Sequence, residues 1–333
     1  MTASDSTLAS NTDSDTQSKK WMWAKRLFTV FFFILIPALL YTVLKKIEWQ
    51  EVQEALYSFE MPTLMLGLAI AFCSYCVFAS YDLLGKKYTG HSLSSWKVMP
   101  LGFVCYAFNL NLSTWVGGIA MRLRLYSRLG LNMSTITKIF SLNIITNWLG
   151  YIILAGAIFV FGLVQLPDDW TIGTTSLRVI GGVLLCVALA YFVACKFSRQ
   201  RTFTLFKHSF ELPNFSMSLM QAALAMTNWS LMALIIFILL PEGEVSYPTV
   251  LGILLLSSIA GVITHIPGGI GVLETIFITM LHHELSKGSI LAALIGYRII
   301  YFLIPLAIAL VIYLVLESQA KKTRMALQSR SEH

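Results

Sequence analysis

Three short patterns in this sequence hold the residue types that can do chemistry. The turn from His265 through Ile266, Pro267, Gly268, Gly269 and Ile270 to Gly271 interrupts a long apolar stretch, and Glu274 follows it closely. Glycine permits a positive φ and close backbone approach. A half-helix beginning near Gly271 would aim free N–H groups into the protein, an end that attracts an anion such as a lipid phosphate. A broken helix that only fills space is the plainer reading. Arg298, preceded by Tyr297, falls about nine residues into the last apolar run, about 13 Å along a helix axis. A lone charge at such depth costs at least about 2.5–3.5 kcal/mol. Glu274 and Arg298 are therefore expected to approach each other or to share one wet site. A buried pair that merely fixes packing is the alternative. His265 could relay a proton beside the turn, or be a hydrogen-bonded structural imidazole.

The third pattern runs from Asn111 to Gly130. Gly117 and Gly118 break an apolar stretch, and Arg122, Arg124 and Arg128 follow. Ser113 or Thr114 could cap the short helix after Gly118, and Gly130 suits its C′ position. Arginine forks fit phosphate, so Arg122 and Arg124 could hold an anionic headgroup; charge that only sets topology explains them equally well. Asp82 and Lys86 sit four apart and read as a structural pair. Asn109, Asn111, Asn143, Asn147 and Asn228 could line a polar path or hydrogen-bond between helices.

The elements that must position these groups follow from composition. The chain has 333 residues, 56% hydrophobic and only 12% charged. Soluble domains carry roughly 25% charged residues. The apolar residues come in long blocks, which points to one all-α polytopic membrane bundle. Net charge is +7, but the basic residues flank apolar blocks, where they set topology rather than bind nucleic acid. The sequence has no G-x-S-x-G, Walker, H-E-x-x-H or Rossmann pattern, so neither coupling to ATP nor a cofactor is expected. Cys73 and Cys76 form a C-x-x-C without a second pair or nearby histidines, so no metal site is expected and the five cysteines read as small apolar residues.

About 20 apolar residues are needed to span a bilayer. Spans are predicted near 27–44, 63–84, 137–162, 178–196, 217–240 and 289–316, with shorter broken stretches near 98–116 and 249–264. With a cytoplasmic N-terminus and both broken stretches re-entrant, nineteen of the 24 Lys and Arg residues fall on the cytoplasmic side. A full crossing by the first broken stretch would put Arg122 to Arg128 outside, against the positive-inside bias. Two upside-down units result, about 63–162 and 217–316, the inverted-repeat plan of many secondary transporters. Residues 1–18 read as a disordered cytoplasmic tail, 19–318 as one transmembrane domain and 319–333 as a basic cytoplasmic tail. Residues 47–59 and 201–210 read as amphipathic helices lying in the interface.

The stretch Asn111–Gly130, the turn His265–Glu274 and the pair Tyr297-Arg298 together resemble the lysylphosphatidylglycerol synthase transmembrane-region family, on the side of its Gram-negative inner-membrane branch. The resemblance covers nearly the whole chain after the tail. It implies lipid translocation in the bacterial inner membrane, with both termini cytoplasmic. Arg122, Glu274 and Arg298 match charged positions of the family, whereas Ile119 and Ala120 stand where many relatives carry Glu. The soluble aminoacyl-transferase domain of the synthases is expected to be absent, because about 17 residues follow the last predicted span. The expected function is translocation of an anionic phospholipid. A lipid-headgroup enzyme using Glu274 and His265, or a scaffold partnering a phospholipid synthase, are the alternatives. A cysteine placed at Arg124 should react with an impermeant maleimide only after the cytoplasmic face is opened; labelling from the periplasm would reject this topology.

Overall fold

The computed structural model describes residues 49–57, 59–112, 118–164, 173–198, 202–205, 208–264 and 266–331. The predicted tail and the predicted span 27–44 lie outside them. In chain order the elements are α1 (Trp49–Tyr57), α2 (Met61–Thr89), α3 (Ser95–Asn111), α4 (Met121–Arg128), α5 (Met133–Val160) and α6 (Thr174–Phe197). A hairpin of β1 (Thr202–Leu205) and β2 (His208–Glu211) follows. Then come α7 (Phe215–Leu239), α8 (Tyr247–Thr264), α9 (Val272–Leu281), α10 (Lys287–Arg298), a π-helical turn at Ile299–Leu303, and α11 (Ile304–Ser331).

Among the described residues six helices are long and apolar enough to cross a membrane: α2, α5, α6, α7, α8 and the continuous stretch Lys287–Leu316. The chain is thus an all-α, multi-pass membrane protein. Five of these helices fall where spans are predicted. The sixth, α8, departs from the sequence reading, which treats 249–264 as a short piece; its helix runs 18 residues, long enough to cross. Residues 201–210 also differ. They form an antiparallel hairpin with Phe203 opposite Phe210 instead of an amphipathic helix. Their aromatic spacing suits either structure. The Tyr88 hydroxyl donates to the Glu211 carbonyl at 2.6 Å and accepts from its N–H at 3.1 Å, fixing the hairpin's end to α2. Within 47–59, Trp49–Tyr57 is helical as expected.

Helix ends follow local chemistry. Asn132 and Asn214 cap α5 and α7 by accepting from Thr135 N–H and Met217 N–H, each at 2.8 Å. A capping side chain satisfies an N–H that the first turn leaves open. Gly130 takes the predicted C′ role after α4: its N–H bonds Ser127 O at 3.0 Å while Leu131 N–H bonds Tyr126 O at 3.1 Å. That pattern is a Schellman closure.

In lipid, helices gain little from apolar contact, so close packing and interhelical hydrogen bonds hold the bundle. α2 packs on α3 and α7, and α5 on α6 and α7. A buried polar knot joins them. The Ser74 hydroxyl donates to Asn228 Oδ1 at 2.9 Å and lies 2.8 Å from the Tyr301 hydroxyl, which is also 2.8 Å from that of Tyr106. Elsewhere Gln221 joins α5 and α6, donating to Thr146 Oγ1 at 2.8 Å and accepting from Tyr191 at 2.9 Å. The asparagines seen in these contacts bond between helices, the plainer of the two sequence readings.

The α5–α7 crossing depends on Gly150, where an added methyl would lie 2.4 Å from Ala225 Cβ and 2.6 Å from its carbonyl carbon. Gly182 of α6 faces open space. Gly150→Val should lower the thermal midpoint in detergent by several degrees, because overpacking costs about 1–3 kcal/mol. Gly182→Ala should leave the midpoint within about a degree. Equal midpoints for both variants would contradict this packing.

Candidate functional site

The second glycine-broken stretch is a true break. After α8 ends at Thr264, Gly268 and Gly269 adopt φ of +63° and +58°, and Gly271 +83°. These left-handed conformations disfavour other residues, so the pattern Gly-Gly-x-Gly is a backbone requirement. The chain folds back at this turn: a methyl on Gly261 would approach Gly269 Cα to 3.7 Å. The returning helix α9 has ten residues, about 15 Å at 1.5 Å per residue, half the thickness of a hydrocarbon core.

Arg298 closes this turn. Its Nε donates to Glu274 Oε1 at 2.5 Å and its Nη2 to Glu274 Oε2 at 3.1 Å. Nη1 donates to the Gly268 carbonyl at 3.0 Å, and Nη2 to that of Gly269 at 3.2 Å. Glu274 Oε2 also accepts from the Gly271 N–H at 2.7 Å, which caps α9. The predicted meeting of Glu274 and Arg298 is present, and four acceptor oxygens converge on one guanidinium. The Phe302 ring lies 5.5 Å from the guanidinium carbon. Tyr297 is fully buried and stacks on Tyr301 instead of joining the pair.

Directly after Arg298 the helix widens into the π-helical turn Ile299–Leu303. Such turns disturb the backbone ladder and often mark functional sites. Two of its carbonyls find side-chain donors. Tyr75 donates to Tyr301 O at 3.0 Å, and Asn111 Nδ2 donates to Phe302 O at 3.2 Å. Asn111 stands at the end of α3, where the first break begins. The second break also approaches the end of α3, since a methyl on Gly268 would lie 3.5 Å from Leu110 O. The last span therefore ties that break to the end of α3.

A second ion pair, which sequence reasoning missed, joins α2 to α4. Asp82, read as a partner of Lys86, instead accepts from Arg122 Nη2 at 3.1 Å, from Arg122 Nε at 3.3 Å and from Asn143 Nδ2 at 2.8 Å. Lys86 reaches Ser95 at 3.3 Å. The missed signal is that α2 continues to Thr89, so Asp82 lies inside the bundle. An acid in a buried helix needs a cation, and Arg122 is the arginine that opens α4. Arg122, expected to hold a headgroup, thus has its fork already filled. Its side chain is 4% exposed and that of Asp82 0%, whereas Arg298 and Glu274 are 18% and 13% exposed. One pair is sealed; the other reaches the surface. Arg124 is exposed and lies over the Tyr313 ring at 5.7 Å. Gly118 is buried, while Ser113, Thr114, Gly117 and His265 fall outside the described residues. The cysteines form no disulfide, and no group of three metal-ligating side chains occurs among the described residues.

Replacing Asp82 by Leu or Arg122 by Met should each destabilise the protein by about 3–5 kcal/mol, the usual cost of orphaning a buried charge. Asp82→Leu combined with Arg122→Met should recover most of it. Additive losses in a double-mutant cycle, read from thermal midpoints in detergent, would show that the pair is not coupled.

The description "lysylphosphatidylglycerol synthase TM region" belongs to a family model that matches residues 26–309. The chain is 50% identical over 306 residues to Inner membrane protein YbhN of Escherichia coli (strain K12), covering 92% of this chain and 96% of that protein. It is 30% identical over 279 residues to the protein slr0712 of Synechocystis, covering 83% and 86% respectively. Phosphatidylglycerol lysyltransferase of Staphylococcus epidermidis matches at 30% over 88 residues, or 26% of this chain and 10% of that protein.

Proposed function

We propose that this chain, which belongs to the lysylphosphatidylglycerol synthase TM region family, moves phospholipids between the leaflets of a bacterial inner membrane. The headgroup phosphate is taken by Arg298, and Glu274 gates the site. The observation that carries this reading is the contrast between the two ion pairs. Asp82–Arg122 is shut away from any ligand. Glu274–Arg298 is partly exposed, sits on a glycine-built turn and borders a π-helical turn, so it is the one that can open. A guanidinium fork matches a phosphate as well as it matches a carboxylate. The names of two relatives agree with this setting: one is an inner membrane protein and another acts on phosphatidylglycerol.

Re-entry of the two broken stretches from opposite faces belongs to the same proposal, as do the cytoplasmic placement of both termini and a single transmembrane domain over 19–318. The approach of the Gly268 turn to the end of α3 at Leu110 supports it, because oppositely directed half-helices converge near the midplane in transporters of this plan. Alternating exposure then comes from one repeat rocking against the other about the last span.

A membrane scaffold partnering a phospholipid synthase is the second reading. It is favoured by one fact: every nitrogen of Arg298 already has an acceptor within the chain. A headgroup-modifying enzyme is disfavoured, because the Glu274 carboxylate is committed to Arg298 and Gly271 and is poorly placed as a general base.

Proteoliposomes with acyl-labelled fluorescent phospholipids separate the first two. Wild type should expose inner-leaflet lipid to an external quencher on the order of tenfold faster than empty vesicles, and Glu274→Gln should lose most of that gain, as removing a buried charged partner does. Rates equal to empty vesicles for wild type would reject translocation by this chain alone.

A further inference from the structure

Resting on the reading just given, we infer that the lipid this site accepts is zwitterionic, with one primary ammonium and one phosphate in the same headgroup. The argument starts from what Arg298 leaves behind. While it is paired, four oxygens surround its guanidinium: Oε1 and Oε2 of Glu274 and the carbonyls of Gly268 and Gly269. They form a cage of acceptors with net charge −1, which among the described residues of the turn receives the N–H of Gly271. When Arg298 swings to a phosphate, this cage loses its cation. In a site of low dielectric an uncompensated carboxylate and two bare carbonyls are costly. A lipid that brought only a phosphate would satisfy Arg298 and strand Glu274. A lipid that also brings a cation satisfies both, exchanging one internal ion pair for two intermolecular ones.

Charge count and donor count narrow the class. The pair sums to zero, so a headgroup with one positive and one negative charge replaces it without excess. A primary ammonium has three N–H donors, enough for the carboxylate and both glycine carbonyls. A quaternary ammonium has the charge but no N–H, so it leaves the carbonyls unbonded. The apolar residues beside the turn fit a membrane lipid more than a soluble metabolite: Val262, Ile263 and Ile270 are 53%, 69% and 51% exposed. The proposed headgroup differs from the net-anionic lipid expected from the sequence in that its phosphate is matched by an amine.

The test uses the full chain in proteoliposomes with acyl-labelled phosphatidylethanolamine, phosphatidylcholine and phosphatidylglycerol at equal trace amounts. The ethanolamine lipid should move on the order of tenfold faster than the glycerol lipid, with the choline lipid between them, and Glu274→Gln should bring the three rates together. Movement of the glycerol lipid at the same rate or faster overturns this inference while leaving translocation standing. No movement of any lipid above empty vesicles overturns the reading it rests on. In detergent, short-chain phosphatidylethanolamine should raise the thermal midpoint where the same concentration of O-phosphoethanolamine does not. An equal rise from the soluble compound would make the ligand a free amine phosphate and reject a lipid. The wild-type rate comparison holds whether or not the Glu274 variant folds.

Discussion

Backbone that leaves the helix inside hydrocarbon must find hydrogen bonds from the protein itself, and a charge there must find its opposite. At the turn Pro267–Gly271 one side chain meets both demands. Arg298 caps two glycine carbonyls and neutralises Glu274, and Glu274 in turn caps the helix that follows. Remove the arginine and the turn loses its acceptors' partners, the acid its counter-charge and the ten-residue helix its link to the last span. The break and the charge are thus parts of one arrangement. That explains why an otherwise apolar stretch carries both a Gly-Gly-x-Gly pattern and an acid three residues on.

The same logic recurs with the parts rearranged. At α4 the arginine opens the short helix and the acid sits on a full span; at α9 the acid opens the short helix and the arginine sits on the span. The first pair is enclosed by α2, α4 and α5 and also takes a bond from Asn143. The second faces a less crowded side. Two ion pairs of like chemistry therefore differ in access. Between them Asn111 and Tyr75 hold the carbonyls of the π-helical turn, which ties the last span to α2 and to the end of α3.

Much of this was legible in the residues. Long apolar blocks gave the spans, because the period and length of a membrane helix admit few alternatives. The pairing of Glu274 with Arg298 followed from the expense of lone charges at depth. Three things were not legible. Local spacing offers Asp82 a partner four residues on, in Lys86, whereas its partner lies 40 residues away, on α4. Aromatics at the spacing of Phe203, Phe206 and Phe210 suit a helix face and a hairpin alike, so local pattern decides that segment poorly. The widening at Ile299–Leu303 has no sequence signature, since any apolar run can accommodate it.

That widened turn gives the last span one residue more than a regular helix of the same rise. The extra residue rotates everything beyond it by about 100° relative to the Arg298 side, one residue's share of a 3.6-residue turn. Tyr313, under Arg124, and Arg298, over Glu274, are therefore placed by a phase offset and not by a shared stripe. A helical wheel drawn straight through 287–316 would misassign one half of the span. A lineage that lost a single residue there would gain a smoother helix and find its two halves facing the wrong neighbours.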